Sequence, residues 1–172
     1  MKVPITLTVN GTAYPIEVEP ATTLLYAVRD EVGLTGAKEG CDDSECGACM
    51  MLLEGKPVNA CSYLALQADG RDVTTVEGLA GKDGLSALQR AILEYGGVQC
   101  GFCTPGMLIS ASSLLEAKPS PTEDEVRIAL SGNLCRCTGY DGIVKAVLAV
   151  GSSEGALPGQ RLLERAPRQD AR

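Results

Sequence analysis

The chain has 172 residues, a net charge of -7 at pH 7 and few aromatic residues (one Phe, five Tyr, no Trp). This composition provides neither the positive field nor the stacking surfaces with which proteins bind nucleic acid. The N-terminal sequence lacks the apolar segment of a signal peptide, and no stretch approaches the roughly 18 apolar residues that span a bilayer. We therefore expect a folded cytoplasmic protein with no membrane span and no nucleic-acid partner.

The first half of the chain predicts a small mixed sheet crossed by one helix. Residues 3–9 alternate apolar and polar side chains, and residues 14–20 do nearly the same after an Asn-Gly turn, which is typical of a β-hairpin. Residues 22–33 combine a threonine cap, apolar positions at helical spacing and a terminal glycine, which predicts a helix packed on this sheet. Further β-rich runs extend the sheet up to about residue 77.

From residue 84 onward the apolar period becomes helical and predicts a four-helix unit. The predicted helices cover residues 85–97, 104–117, 120–133 and 142–151. The first presents four apolar side chains on one face: Leu85, Leu88, Ile92 and Tyr95. In the second, Thr104 is the expected N-cap and Pro105 the first helical residue. In the third, Thr122 and Glu125 form a predicted capping box.

Eight cysteines in a chain without a secretory signal favour metal binding or redox chemistry over disulfides, because the cytosol keeps thiols reduced. They divide along the same line as the predicted elements, four in each half. The first cysteine set is Cys41, Cys46, Cys49 and Cys61. The second cysteine set is Cys100, Cys103, Cys135 and Cys137. Since four thiolates complete one tetra-cysteine site, the count predicts two sites.

The first cysteine set has the spacing of plant-type [2Fe–2S] ferredoxins. C-x4-C-x2-C runs from Cys41 to Cys49, and Cys61 follows after 11 residues. Gly40 and Gly47 lack the Cβ atom that would keep backbone N–H groups away from a cluster sulfur. Zinc is the alternative, although zinc ribbons usually contain two C-x2-C pairs. The absence of histidine excludes Rieske clusters and Cys/His zinc sites.

The second cysteine set is less typical. C-x2-C at Cys100 and Cys103 is followed, after 31 residues, by C-x-C at Cys135 and Cys137, and this pattern alone fits zinc or an iron–sulfur cluster. Both pairs precede predicted helices, whose free N-terminal N–H groups favour anionic sulfur. We therefore predict a site between helices. Arg136 either offsets cluster charge or is a solvated surface residue, and both interpretations stay open.

The complete pattern resembles a known family. The segments "GCDDSECGAC" (40–49), "QCGFCTPGM" (99–107) and "GNLCRCTGYDGIVKAV" (132–147) are similar to the small iron–sulfur subunit of the molybdenum hydroxylases, the xanthine oxidase family. The similarity covers roughly residues 3–150 and includes all eight cysteines in order.

This resemblance implies an α+β chain with two cluster-binding domains. Residues 1–77 would form a β-grasp, ferredoxin-like [2Fe–2S] domain, and residues 78–151 a four-helix-bundle [2Fe–2S]-binding domain. Residues 152–172 are polar and rich in Gly and Pro, which predicts an extended C-terminal tail.

The resemblance also implies that the chain transfers electrons and carries no substrate-binding catalytic residue. In the family, a large subunit holds molybdopterin and a medium subunit holds FAD. The first cluster faces FAD and the second faces the pterin. Gln99 matches the glutamine that hydrogen-bonds the pterin, and Cys137 matches the cluster ligand that lies nearest to the pterin. The expected assembly is a heterotrimer or a dimer of heterotrimers, and the 4-hydroxybenzoyl-CoA reductase relatives run electrons in reverse.

Two other classes of function compete with this interpretation. A stand-alone ferredoxin would account for the first cysteine set but not for the second. A zinc-structured interaction module would account for eight thiolates without redox chemistry. The acidic residues of the first cysteine loop either mark a docking face or are simply solvated. These residues are Glu39, Asp42, Asp43 and Glu45.

Overall fold

The computed structural model describes residues 1–81 and 84–152, and its N-terminal half is built on one five-stranded sheet. The strands are β1 (Val3–Val9), β2 (Thr12–Val18), β3 (Met50–Leu53), β4 (Lys56–Asn59) and β5 (Asp72–Thr74). Their order in the sheet is β2-β1-β5-β3-β4. β1 and β5 are parallel, and all other neighbouring strands are antiparallel. The predicted mixed sheet is confirmed.

The hairpin between β1 and β2 turns at Asn10 and Gly11. Both residues have positive φ angles, 51° and 81°, which is the backbone conformation that a two-residue turn needs to match the twist of its strands. Alternate residues of β1 point inward, so that Leu7 and Val9 are almost completely buried. The alternation seen in the sequence therefore sets which face of the sheet is covered.

The predicted crossing helix is present, but its second half is wider than an α-helix. α1 (Leu24–Tyr26) continues directly into a π-helical segment, Ala27–Glu31. The Thr23 hydroxyl accepts a hydrogen bond from the backbone N–H of Tyr26 at 3.3 Å and caps the first turn. The expected apolar side chains, Leu24, Leu25 and Val28, are buried against the sheet.

Four helices follow the sheet, as predicted. They are α2 (Ala87–Glu94), α3 (Thr104–Ala117), α4 (Glu123–Ala129) and α5 (Asp141–Ser152). The capping box of Thr122 and Glu125 begins α4. A second capping box, formed by Ser86 and Gln89, begins α2 and was not predicted. None of the helices in the described residues is long and apolar enough to cross a membrane.

Two details predicted for these helices are wrong. Cys103 occupies the N-cap position of α3, so that Thr104 is its first residue, and the buried Thr104 hydroxyl finds no hydrogen-bond partner among the described residues. Leu85 and Tyr95 are 43% and 47% exposed, because α2 begins after the Ser86 cap and ends before Tyr95. The apolar face of α2 is therefore shorter than its sequence pattern.

The buried side chains form two separate cores. One lies under the sheet and includes Leu7, Leu24 and Met51. The other joins the helices and includes Met107 and Ile143. Leu52 of β3 belongs to the helical core, so the sheet contributes an apolar side chain to the second half of the chain. The predicted tail lies outside the described residues apart from Ser152, which ends α5.

Candidate metal centres

The first cysteine set gathers at one end of the sheet. Three of its members lie on the loop between the π-helical segment and β3, and Cys61 follows β4. The backbone N–H of Cys46 donates to the Sγ atom of Cys41 at 3.4 Å. Cys49 and Cys61 are buried, whereas Cys41 and Cys46 are half-buried. The loop therefore brings cysteines far apart in sequence to one place.

Two glycines of this loop permit close approaches. A Cβ atom on Gly40 would lie 3.0 Å from Cys46 Sγ and 3.3 Å from Phe102 Cε1, which supports the predicted approach to sulfur. On Gly47, which has a φ of 67°, it would lie 2.2 Å from the carbonyl oxygen of Gly132. The atom nearest to a Cβ on Gly47 thus belongs to the helical half of the chain and is not a sulfur atom.

The second cysteine set lies where two helices begin. Cys103 is the N-cap residue of α3, and Cys135 and Cys137 precede α5. The Sγ atoms of Cys137 and Cys100 are 3.6 Å apart. These two cysteines are exposed, whereas Cys103 is buried and Cys135 half-buried. The position of the second set before two helices is as predicted. Each of the two sets has a buried side and a more accessible side.

The sulfur atoms are arranged in pairs. The neighbours are Cys41 with Cys46, Cys49 with Cys61, Cys103 with Cys135, and Cys100 with Cys137. In the described part of the chain, no three Cys, Asp or Glu side chains surround a single point. Two pairs in each set are compatible with a [2Fe–2S] cluster, in which four thiolates are shared by two irons.

Burial and hydrogen bonding set the thiol pKa values unequally. Burial raises the pKa of Cys49 and of Cys103 to about 12 in each case. Cys135 is different: partial burial acts to raise its pKa, but hydrogen bonds, first from the Thr138 side chain and then from backbone N–H groups, hold it at about 7. A buried thiol with a raised pKa becomes a thiolate only when a cation replaces its proton, so metal binding releases protons from these sites.

The two cysteine loops are joined by hydrogen bonds. The backbone N–H of Leu134 donates to the carbonyl oxygen of Cys46 at 2.9 Å. The neighbouring Asn133, only 2% exposed, donates from Nδ2 to the carbonyl oxygen of Gly47 at 3.0 Å, and its Oδ1 accepts from the Ser110 hydroxyl at 2.6 Å. The segment that leads into Cys135 is therefore fastened to the loop that carries the first set.

Sequence patterns alone did not identify Asn133, Ser110 or Tyr140 as residues of this region. Each is polar and lies in or beside a helix, where most polar residues face solvent. Their position within the "GNLCRCTGY" segment, close to two cysteines, was the only available signal for Asn133 and Tyr140. Ser110 gave none, because it lies in the middle of α3 among apolar residues.

The remaining predicted residues lie on the surface. Gln99 is exposed beside the exposed pair Cys100 and Cys137. Arg136 is exposed and forms no ion pair with the described residues, and both interpretations of it stay open. The acidic residues of the first loop are exposed too, and Glu39 accepts a hydrogen bond from the Tyr26 hydroxyl at 3.0 Å.

Two groups of four cysteines in an α+β chain, one at the end of a sheet and one where two helices begin, are typical of one class of protein: a two-cluster iron–sulfur protein. Comparison with family models finds two iron–sulfur domains in the chain. A 2Fe-2S iron-sulfur cluster binding domain matches residues 7–80, and a [2Fe-2S] binding domain matches residues 75–148. The two domains favour iron–sulfur clusters over zinc, and the second distinguishes the chain from a stand-alone ferredoxin.

Individual proteins similar to this chain show which kind of two-cluster protein it is. The nicotinate dehydrogenase small FeS subunit of Eubacterium barkeri is 50% identical over 146 residues, which cover 85% of this chain and 93% of that subunit. The nicotine 6-hydroxylase small subunit of Paenarthrobacter nicotinovorans is 52% identical over 148 residues, 86% of this chain and 88% of that subunit. A chain in the crystal structure of quinoline 2-oxidoreductase from Pseudomonas putida 86 aligns with a TM-score of 0.86 and 45% identity, covering 90% of this chain and 95% of its own length.

The chain belongs to the family of small iron–sulfur subunits of the molybdenum hydroxylases, the xanthine oxidase family. It is therefore a subunit of a multi-subunit oxidoreductase, and the predicted α+β fold with two [2Fe–2S] domains is confirmed.

Proposed function

We propose that this chain relays electrons, one at a time, between a molybdopterin site on a large partner subunit and FAD or another acceptor on a further subunit. The substrate reaction at molybdenum would move two electrons, and each [2Fe–2S] cluster, when bound, accepts one. The chain's own residues would hold the clusters, tune their potentials and exclude water from their buried sides. Reverse flow, as in the 4-hydroxybenzoyl-CoA reductases, uses the same arrangement.

The observation that carries this proposal is the hydrogen bond from the Leu134 N–H to the Cys46 carbonyl oxygen, at 2.9 Å. Cys46 belongs to the first cysteine set, and Leu134 is bonded directly to Cys135 of the second. One hydrogen bond and one peptide link thus connect a member of each set. This short connection supports the proposal because a relay requires the two clusters to lie close together.

We propose the eight cysteines as the cluster ligands, with residues 1–77 and 78–151 as the two cluster-binding domains. The first cluster would take Cys41, Cys46, Cys49 and Cys61. The second would take Cys100, Cys103, Cys135 and Cys137. The paired sulfur atoms and the two buried members of the first set support this assignment.

The orientation of the relay is proposed from exposure. Cys100 and Cys137 are exposed and lie beside the exposed Gln99, whereas the first cysteine set contains no exposed member. We propose that the second cluster faces the molybdopterin subunit, with Gln99 hydrogen-bonded to the pterin and Cys137 as the ligand nearest to it. The first cluster would face the flavin subunit.

We propose a cytoplasmic heterotrimer of this chain with a large molybdopterin-binding and a medium FAD-binding subunit, with a dimer of heterotrimers as a further level. Purification of the complex through a tag on this chain tests the assembly. Two larger polypeptides should copurify, with molybdenum and flavin in the same fractions. An active complex without flavin would restrict the proposal to another acceptor subunit.

Electron paramagnetic resonance (EPR) spectroscopy of the dithionite-reduced complex tests the relay. We expect two distinct signals that integrate to about two spins per chain. In the Cys103→Ser variant, one signal should disappear, and substrate oxidation should no longer be coupled to the external acceptor. A Cys103→Ser complex that turns over at the normal rate would rule out the relay, and a silent spectrum with zinc in place of iron would rule out both clusters.

A further inference from the structure

The Sγ atom of Cys135 has an unusual set of hydrogen-bond partners. The Thr138 hydroxyl lies 3.1 Å from this sulfur, and the Thr138 backbone N–H donates to it at 3.4 Å. A cluster ligand is a thiolate, which has no proton and only accepts hydrogen bonds. With a cluster bound, both Thr138 groups would therefore be donors to Cys135.

The Thr138 hydroxyl also accepts a hydrogen bond. The backbone N–H of Tyr140 donates to Thr138 Oγ1 at 3.2 Å. This bond uses a lone pair of Thr138 Oγ1 and not its proton, so the O–H remains available to the sulfur, which as a thiolate can only accept. The chain from Tyr140 N–H through Thr138 O–H to Cys135 Sγ thus has one consistent direction, and hydrogen bonds in such a chain strengthen each other.

The Tyr140 side chain fixes the same loop from the other side. Its hydroxyl accepts from the backbone N–H of Cys135 at 2.7 Å and donates to the carbonyl oxygen of Asn133 at 3.2 Å. Tyr140 has a φ of 69°, a left-handed conformation that is uncommon for a residue other than glycine. The surrounding bonds hold this backbone in place, which is expected where geometry serves a function.

The first cysteine set has a comparable hydroxyl that is not aimed at sulfur. Ser44 Oγ lies 3.8 Å from Cys61 Sγ, but it is hydrogen-bonded to the hydroxyl of Ser62. The Ser62 hydroxyl donates to the carbonyl oxygen of Asn59 at 3.3 Å, so the proton between the two serines belongs to Ser44. It is therefore directed to Ser62 and away from the cluster ligand.

We propose that Thr138 is a positioning residue that raises the reduction potential of the second cluster relative to a cluster without this hydroxyl. The inference rests on the proposed function, because it takes Cys135 as a ligand. Reduction adds one electron to the cluster and makes its sulfur atoms more negative, so a hydrogen bond to a ligand sulfur is stronger in the reduced state. No bond forms or breaks, and the proton stays on Thr138 Oγ1.

The test is an EPR-monitored redox titration of the purified complex with dithionite as reductant. Thr138→Val keeps the shape of the side chain and removes the hydroxyl. At a fixed potential, the ratio of reduced to oxidised second cluster should fall about tenfold, which corresponds to about 59 mV for a one-electron couple. Thr138→Ser keeps the hydroxyl and should titrate like the natural protein. The first cluster should titrate alike in all variants.

Thr104 offers a matched control, because it follows the ligand Cys103 and its buried hydroxyl has no hydrogen-bond partner among the described residues. Thr104→Val should leave the second cluster's potential unchanged. If Thr138→Val does not retain the cluster, Thr138→Ala is titrated instead. As an independent readout, the natural complex in D2O should show two exchangeable deuterons coupled to the second cluster at Cys135, one from the Thr138 hydroxyl and a weaker one from the Thr138 backbone N–H. The hydroxyl-free variant should show only the backbone deuteron.

Three results would overturn the inference. The first is a potential unchanged in Thr138→Val or Thr138→Ala with the signal present. The second is an equal shift in Thr104→Val. The third, if neither hydroxyl-free variant retains the cluster, is the absence of the hydroxyl deuteron from the natural complex, with only the backbone deuteron of Thr138 coupled. All three leave the relay proposal intact. If the natural complex shows no second [2Fe–2S] signal, the relay proposal itself fails.

Discussion

The two cysteine sets differ in how they are covered. The first is enclosed, with Cys49 and Cys61 buried and its loop packed under the Gly132–Leu134 segment of the helical half. The second has one exposed pair, Cys100 and Cys137, although its other two members lie deeper. An enclosed site is insulated from water, whereas an exposed pair is open to contact with another surface. The difference supports an inner and an outer end of one relay.

The largest effect is expected from a substitution at the close contact between the sheet half and the helical half. A Cβ atom on Gly106 would lie 2.0 Å from the carbonyl oxygen of Gly47, and backbone atoms have little freedom to move away. Although alanine favours a helix by about 1 kcal/mol over glycine, we expect Gly106→Ala to lower the free energy of unfolding by about 3 kcal/mol. Urea unfolding measures the change.

The matched control is Gly132→Ala, because a Cβ atom there meets nothing within 4 Å. Its effect should stay within about 0.5 kcal/mol, as for other unconstrained surface positions. Equal stability of the two variants would contradict the close contact between the halves.

A smaller disruption removes the side chain that bridges the halves. Asn133→Ala would leave the Gly47 carbonyl oxygen and the Ser110 hydroxyl without their partner in a buried place. We expect a loss of about 1–3 kcal/mol in the free energy of unfolding. Thermal unfolding should then show two transitions, because each core unfolds more independently. Ser131→Ala, at an exposed site two residues away, is the control, and an Asn133→Ala variant as stable as this control would contradict the bridge.

The exposure of the second set can be tested without any mutation. In the chain purified alone, ferricyanide with EDTA should destroy the second cluster several-fold faster than the first, because Cys100 and Cys137 are exposed. EPR signals recorded over time distinguish the two clusters. In the complete complex this difference should disappear, because the proposed molybdopterin subunit would cover the pair. Faster loss of the first cluster would reverse the assigned inner and outer ends.

The smallest effect is expected from a test that compares the Ser44 hydroxyl with the Thr138 hydroxyl. Ser62→Ala removes the acceptor that holds the Ser44 proton, which leaves the Ser44 hydroxyl free to turn toward Cys61 Sγ, 3.8 Å away. The ratio of reduced to oxidised first cluster at a fixed potential should rise about twofold to threefold, since the gained bond is long. Ser44→Ala should have no such effect. A fall in the ratio for Ser62→Ala would show that the serine pair already stabilises the reduced cluster.

Much of the fold could be predicted from local pattern. The alternation in β1, the Thr122–Glu125 capping box and the four helices each depend on residues close together in sequence. The errors at Leu85 and Tyr95 arose because helical spacing continues beyond the Ser86 cap and the last turn of α2. Cysteine spacing predicted two metal sites for a similar reason, since ligands in short loops have few possible geometries.

The sequence by itself determined which segments form strands and helices, how the cysteines divide into two sets, and the family. Only the tertiary structure decided what surrounds the sulfur atoms: the bridge at Asn133, the contact at Gly47, and the contrast between Thr138 and Ser44. The physical reason is the separation in sequence of the residues that interact. A cap or a strand is stabilised by neighbours in the chain, whereas a buried hydrogen bond between residues 86 positions apart exists only once two cores have packed together.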